Sequence, residues 1–263
     1  MATSTRPKGT MKTLTIANQK GGVGKTTLTA HLAYAAQAAN KRVLLIDADP
    51  QGSLSLAFNT AVADPACLTT TDFFSHPPSD KPLSWVDDHL ALVPADDALF
   101  DLVSANVDQL MLLRASIQAH APQFDLCLID TPPERNSLLI AAMAAADFVI
   151  TPMTLGLYEQ HGVRRLFDSI EATRSMLNSN LRHLGILLMK TNPRSPREVK
   201  LVNEMRANFG DHVLPGQLPE RAAVRYSVNN RTPVWENPRG STHEKAAKEW
   251  RDVCTDILSE IDR

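Results

Sequence analysis

Short, continuously apolar runs alternate along the chain with segments of helical periodicity. The runs TLTIAN (13–18), RVLLIDAD (42–49), LALVPAD (90–96), FDLCLID (124–130), DFVITPM (147–153) and LGILLMK (184–190) are rich in branched residues. A strand with one wet face would alternate apolar and polar positions. These do not, so they predict strands of a parallel sheet covered on both faces. Between them, helical patterns fall at about 26–39, 98–119, 137–146, 159–178, 197–208 and 243–261. This alternation predicts an α/β fold, a doubly wound, mostly parallel sheet flanked by helices. Residues 59–89 break the pattern. They are irregular and contain prolines, which predicts loops with room for one helix. Residues 1–11 are polar and read as a flexible tail, which leaves 12–263 as a single domain.

Composition narrows the classes. With 263 residues, 43% of them hydrophobic, the chain can bury one large core. Its net charge of −2 excludes a polycation, so any binding to nucleic acid must come from a local patch. Cys67, Cys127 and Cys254 are far apart and show no metal-ligand spacing, as expected in a reducing cytoplasm. The opening MATSTRPKGT has no apolar run of a secretory signal. No stretch reaches the roughly 18–20 apolar residues that cross a bilayer. A cytoplasmic protein is expected.

The chemistry is concentrated in QKGGVGKTT, residues 19–27, directly after the first predicted strand and before the first helix. Gly24-Lys25-Thr26 ends like a phosphate-binding loop, G-x-x-x-x-G-K-[ST], but Gln19 stands where the first glycine belongs. Gly21, Gly22 and Gly24 permit backbone conformations that aim N–H groups at phosphate oxygens, at the positive end of a helix. Lys25 can reach the outer phosphates, and the Thr26 hydroxyl can ligate Mg²⁺. Lys20 is a second cation on the outer side of the loop, where it has no obvious task within its own subunit.

Lys20 to Thr26 match KGGxGK[ST], and the chain resembles the ParA/MinD family of P-loop ATPases with a deviant Walker A motif. The resemblance implies ATP and Mg²⁺ as cofactors, held by Lys20, Gly21, Gly22, Val23, Gly24, Lys25, Thr26 and Thr27. It also implies an ATP-bound homodimer in which Lys20 contacts the partner's phosphates. LLIDADPQGSLS (44–55) looks like the family's DPQ segment. By that likeness Asp49 orients or deprotonates the attacking water, Asp47 supports the metal side, and Asp49, Pro50 and Gln51 form a switch. CLIDTPPE (127–134) reads as a Walker B strand: Asp130 holds Mg²⁺ through water, and Thr131, Pro132 and Pro133 form a second switch. The base is expected between Thr191-Asn192-Pro193 and the loop around Pro219.

Residues 190–231 carry a local basic surplus, which can hold DNA phosphates without reading sequence. They also resemble the family's DNA-contacting stretch. Arg225 is the first candidate, followed by Arg194, Arg197 and Arg221. Only a dozen or so residues precede the P-loop, so an added helix-turn-helix domain is not expected. The implied cycle is that of a short ParA. A nucleoid-associated ATP dimer meets a ParB-like or cargo-adaptor protein, which stimulates slow hydrolysis and positions a plasmid, chromosome or protein complex. Residues 59–89 match the family poorly and are a candidate for partner recognition. The alternative is a MinD-like membrane-cycling ATPase. Against it, the tail Glu260-Ile261-Asp262-Arg263 is acidic rather than basic, so membrane recruitment is not expected. The iron–sulfur relatives need cysteines that this chain does not place suitably, and Asp49 with Lys25-Thr26 argues against a non-hydrolysing scaffold.

Overall fold

A computed structural model describes residues 11–58, 66–76, 79–156 and 159–263. In chain order the elements are β1 (Lys12–Ile16), α1 (Lys25–Ala38), β2 (Val43–Asp47), α2 (Ser53–Ala57), β3 (Ser84–Asp87), β4 (Leu90–Val93), α3 (Val107–His120), β5 (Leu126–Asp130) and α4 (Ser137–Ala145). They continue as β6 (Phe148–Met153), α5 (Glu159–Met176), β7 (Arg182–Thr191), α6 (Pro196–Phe209), β8 (Val213–Pro219), α7 (Ala222–Asn229) and α8 (Gly240–Ile261). The strands form one eight-stranded sheet in the order β3-β4-β2-β5-β1-β6-β7-β8. Every pairing is parallel except β3 with β4.

The predicted two-sided burial is what the sheet shows. On β2, Val43 and Leu45 face a cluster with α1, α2 and α8, while Leu44 and Ile46 face one with α3 and α4. Farther along, α5 and α6 cover the β6–β7–β8 end on the side of α4. Such strands leave no polar face, hence their unbroken apolar sequence. The expected helix at 98–119 is two pieces. A 3-10 segment at Asp97–Ser104 ends before Asn106, whose side chain caps α3 in a reciprocal box with Gln109. Within 59–89, Thr71–Phe74 form a 3-10 turn and β3 adds an antiparallel edge; 59–65 and 77–78 lie outside the described residues. Of the expected tail, residues 1–10 also lie outside, whereas Met11 is buried in the α3–α4 cluster. No described helix is long and apolar enough to cross a membrane. The apolar side of α8 (Trp250, Val253, Ile257, Leu258 and Ile261) is buried against this domain's own core.

Strand order positions the chemistry. Since β2, β5 and β1 are neighbours, Asp47, Asp130 and Ile16 end in register, and the loops that follow them meet at one edge of the sheet. That edge, the carboxyl end of parallel strands, is where such folds bind ligands.

A buried histidine ties α1 to the α7–α8 connection. His31 Nδ1 lies 2.8 Å from the Thr27 carbonyl, and its Nε2 accepts the Val234 N–H at 3.2 Å. Nδ1 therefore carries the proton and the ring is neutral. Burial drives its pKa down to about 4, only partly opposed by the Thr27 carbonyl. A depressed folded-state pKa means that stability present above pH 6.5 is lost as the pH falls toward 4. From His31 alone the loss is about 3 kcal/mol. Urea unfolding of wild type and His31→Gln from pH 7.5 to 4 checks this: the variant should show the shallower decline. Equal slopes would clear His31 of the effect.

Candidate nucleotide site

The loop between β1 and α1 is held from several directions. Asn18 Nδ2 donates to the Pro152 carbonyl (2.7 Å), and Asn18 Oδ1 accepts the Lys20 N–H (2.9 Å). The Thr131 hydroxyl donates to the Ile16 carbonyl (2.7 Å), linking the segment after β5 to the end of β1. Gly22 and Gly24 have φ of +73° and +102°, a region that side chains with a Cβ rarely adopt. Gly24 precedes α1, and no side chain caps the helix, so its first N–H groups are left for a ligand. Lys25 is buried and its Nζ donates to the Lys20 carbonyl at 3.4 Å. Burial lowers its pKa, against the pull of Asp130 and Asp49. A desolvated ammonium between carboxylates and an uncapped helix start suits a polyanion.

Facing it is a set of buried acids. Thr26 Oγ1 donates to Asp130 Oδ2 at 2.6 Å, and Thr29 Oγ1 lies 3.4 Å from Asp130 Oδ1. Asp130 is fully buried, and burial together with the neighbouring Asp47 charge pushes its pKa up to about 7. Asp47, pushed up to about 6 by burial, accepts from the Ser55 N–H and hydroxyl, both at 2.7 Å, and from the Asp49 N–H at 3.3 Å. Adjacent buried carboxylates with a hydroxyl between helix and strand are hard oxygen donors, a set that fits Mg²⁺ and whose mutual repulsion a dication would relieve. Asp49 stands apart: its Oδ1 takes the Gln51 N–H at 3.0 Å, and burial raises its pKa.

Two adjoining cavities open on this loop. One, of about 360 Å³, is lined by Lys25, Thr26, Asp49, Pro133 and Lys190 among others. The second, of about 270 Å³, shares Gly24, Thr27, Lys190 and Val228 with the first and runs on between Met189, Pro219 and Trp250. A chamber holding Lys25 and Asp49, joined to one walled in part by Met189, Leu218 and Pro219, has the layout of a site for a phosphorylated, partly apolar ligand.

Comparison with known proteins agrees. A family model described as an AAA domain matches residues 11–183. Protein IncC of Escherichia coli is 31% identical over 265 residues, covering 96% of this chain and 71% of its own length. The chromosome partitioning protein ParA of Caulobacter vibrioides is 33% identical, covering 85% of this chain and 86% of its own. The chain belongs to the ParA/MinD-type ATPases. Among solved structures, the ATP complex of an aspartate-to-alanine variant of McdA from Cyanothece superposes with a TM-score of 0.82 at 23% identity. It covers 95% of this chain and 97% of its own, a likeness of fold.

With the ParA/MinD-type site assembled, the expected residues can be located. Gly21, Gly22, Gly24, Lys25, Thr26 and Thr27 line the first cavity; Val23 is buried, so it offers the site only backbone. Lys20 is exposed on the outer side of the loop. Pro133 lines the cleft behind the buried Thr131 and Pro132, and Pro50 and Gln51 follow Asp49 toward solvent. Three further residues already have partners within the chain. Asn192 does not line either cavity: its Oδ1 accepts the Arg194 N–H and its own N–H goes to Glu198, so it builds a turn, while Pro219 does line the base side. Arg221 makes a two-pronged ion pair with Glu249 (3.0 and 2.7 Å). Asp47 has its oxygens engaged by Ser55 and Asp49 and lies buried beside Asp130. Lys190, grouped in the sequence with the basic surplus, instead donates to the Gly22 carbonyl at 2.6 Å from a left-handed backbone. No local sequence signal marks that reach.

Proposed function

We propose that this chain is a Mg²⁺-dependent ATPase that dimerises with ATP, binds DNA without sequence preference and positions a cargo. A partner protein of the ParB or adaptor kind stimulates its hydrolysis, and the chain works in the cytoplasm on the nucleoid. The observation that carries the ATPase reading is the meeting of Lys25, the Thr26–Asp130 pair and Asp49 at one cleft. In that arrangement the loop N–H groups and Lys25 neutralise phosphate charge. Thr26 and Asp130 hold the metal side, and Asp49 is the carboxylate free to order or deprotonate water. The relatives named for chromosome partitioning support the cargo-positioning role.

The DNA reading rests on exposed arginines near the carboxyl ends of β7 and β8. Arg194 and Arg197 stand at the start of α6, and Arg225 stands on α7 with only a 4.0 Å approach to Glu220. Surface pairs of that kind contribute little and give way readily to phosphate. Retention on nonspecific duplex DNA with ATP, with ADP and without nucleotide tests the function. The expected result is binding that requires ATP and fades with salt. Arg225→Glu should lower the slope of log affinity against log salt by about 1 per copy presented. Unchanged retention would move the DNA surface elsewhere. Absence of DNA binding in every state, with hydrolysis intact, would favour the membrane-cycling alternative.

A further inference from the structure

We infer that Lys190 is a nucleotide-binding residue, its ammonium held against the phosphate loop and reaching the phosphate nearest the ribose. The inference rests on the nucleotide-site reading above and deepens it. Lys190 stands near the end of β7, where Met189 pairs with Leu218 and Thr191 with Pro219, so two steps along β7 match one along β8. Lys190 is the extra residue of that bulge, and its backbone is left-handed, with φ of +53°. Bulges re-aim side chains beside active sites, and a residue with a Cβ holds such a φ when its surroundings enforce it. Here the side chain leaves the sheet and crosses to the loop after β1, where its Nζ donates to the Gly22 carbonyl at 2.6 Å. In a trans peptide the carbonyl and the following N–H point in opposite directions, so this bond also fixes the Val23 N–H.

Where that ammonium lies is a second, independent observation. The two cavities share Gly24, Thr27, Lys190 and Val228. A nucleotide with its outer phosphates beside Lys25 and Thr26 and its base toward Met189 and Pro219 passes its ribose and first phosphate between them. Lys190 is, among the described residues, the one cation that lines both chambers. The others are placed or engaged differently. Lys25 and Arg231 belong to the first chamber alone. At the second, half-buried Arg221 is paired with Glu249, and Arg225 is exposed beside Glu220. Thr27, half-buried at the junction, brings no charge. One of the three N–H bonds of Lys190 goes to Gly22, and the other two can meet anionic oxygens. Such charge-assisted bonds are roughly twice as strong as neutral ones. Because Lys190 is exposed, salt reaches the contact.

The test is equilibrium binding of ATP and of ADP to wild type, Lys190→Met and Lys190→Gly, at low and at high salt. Methionine keeps the stem and loses the charge, whereas glycine suits the left-handed backbone and loses the whole side chain. At low salt both variants should bind about tenfold more weakly, by the same factor for ATP and ADP, since both carry the first phosphate. The gap should narrow as salt rises. Unchanged affinity in the methionine variant would overturn the inference. So would a glycine variant that binds as wild type, which would lay the methionine loss on backbone strain. A loss confined to ATP would put the ammonium on the last phosphate and overturn the assignment to the first. A gap that salt does not narrow would reduce Lys190 to a prop of the loop backbone, and the contact would be withdrawn. Wild type that binds neither nucleotide would instead remove the nucleotide-site reading, and the inference with it.

Discussion

Replacing Asp49 with alanine should lower kcat for ATP hydrolysis by roughly 10²–10⁴-fold while ATP affinity stays within a few-fold. The split follows from where the carboxylate sits. Phosphate binding belongs to the loop, Lys25 and the Thr26–Asp130 pair, none of which Asp49 supports by a hydrogen bond. Asp49 is held from its other side, through the Gln51 N–H and through its own N–H on Asp47. Burial raises its pKa while the Gln51 N–H and the Lys25 charge oppose the rise, which makes the carboxylate a stronger base than an exposed one. Asp49→Asn preserves the shape and the Gln51 bond but removes the charge, and should be nearly as inactive. Single-turnover hydrolysis and nucleotide titration measure the two quantities. Wild-type turnover in the asparagine variant would remove Asp49 from the chemistry. In the proposed cycle both variants should also stay on DNA once ATP is bound, because release follows hydrolysis.

The parts of this site that the sequence made legible are those contiguous in it. QKGGVGKTT carries its own loop, cation and hydroxyl, and Asp49 and Asp130 each close an apolar run that could hardly be anything but a buried strand. The register of β2, β5 and β1 then brings the three together with no further information. Other contacts appear only when the chain is folded. Arg221 meets Glu249 from α8, and Asn192 builds a turn with Arg194 and Glu198. The unforeseen strands lie at the edges. β8 is VLPGQLP, and its prolines suit a strand that pairs on only one side, yet they erase the apolar signature of a central one. β3, SWVD, pairs antiparallel with β4 and is largely exposed, so it shows no apolar run. Trp250 could be read from sequence only as one more apolar position on α8.

Lys20→Ala should abolish the ATP-dependent dimer without abolishing ATP binding. The residue is exposed on the outside of the loop, and its backbone is already fixed at both ends. Its N–H lies on Asn18 and its carbonyl accepts from Lys25. Truncating the side chain beyond Cβ leaves both of those backbone bonds in place. Within the subunit the phosphates have Lys25, with Lys190 fastened to Gly22 on the same loop. A third cation is superfluous there, but it matches a second nucleotide brought face to face. Removing one member of a buried, hydrogen-bonded charge pair costs about 2–5 kcal/mol, a dimer weakened at least ~30-fold. A symmetric interface would bear that cost twice. Sedimentation with ATP is best run on the Asp49→Ala background, where the nucleotide survives the run, comparing it with the Asp49→Ala, Lys20→Ala double variant. Monomer at concentrations where the single variant is dimeric, with equal ATP affinity per chain, places Lys20 across the interface. A dimer of unchanged strength would mean that the subunits meet through other residues, and that the missing glycine at Gln19 marks no difference in how the loop is used.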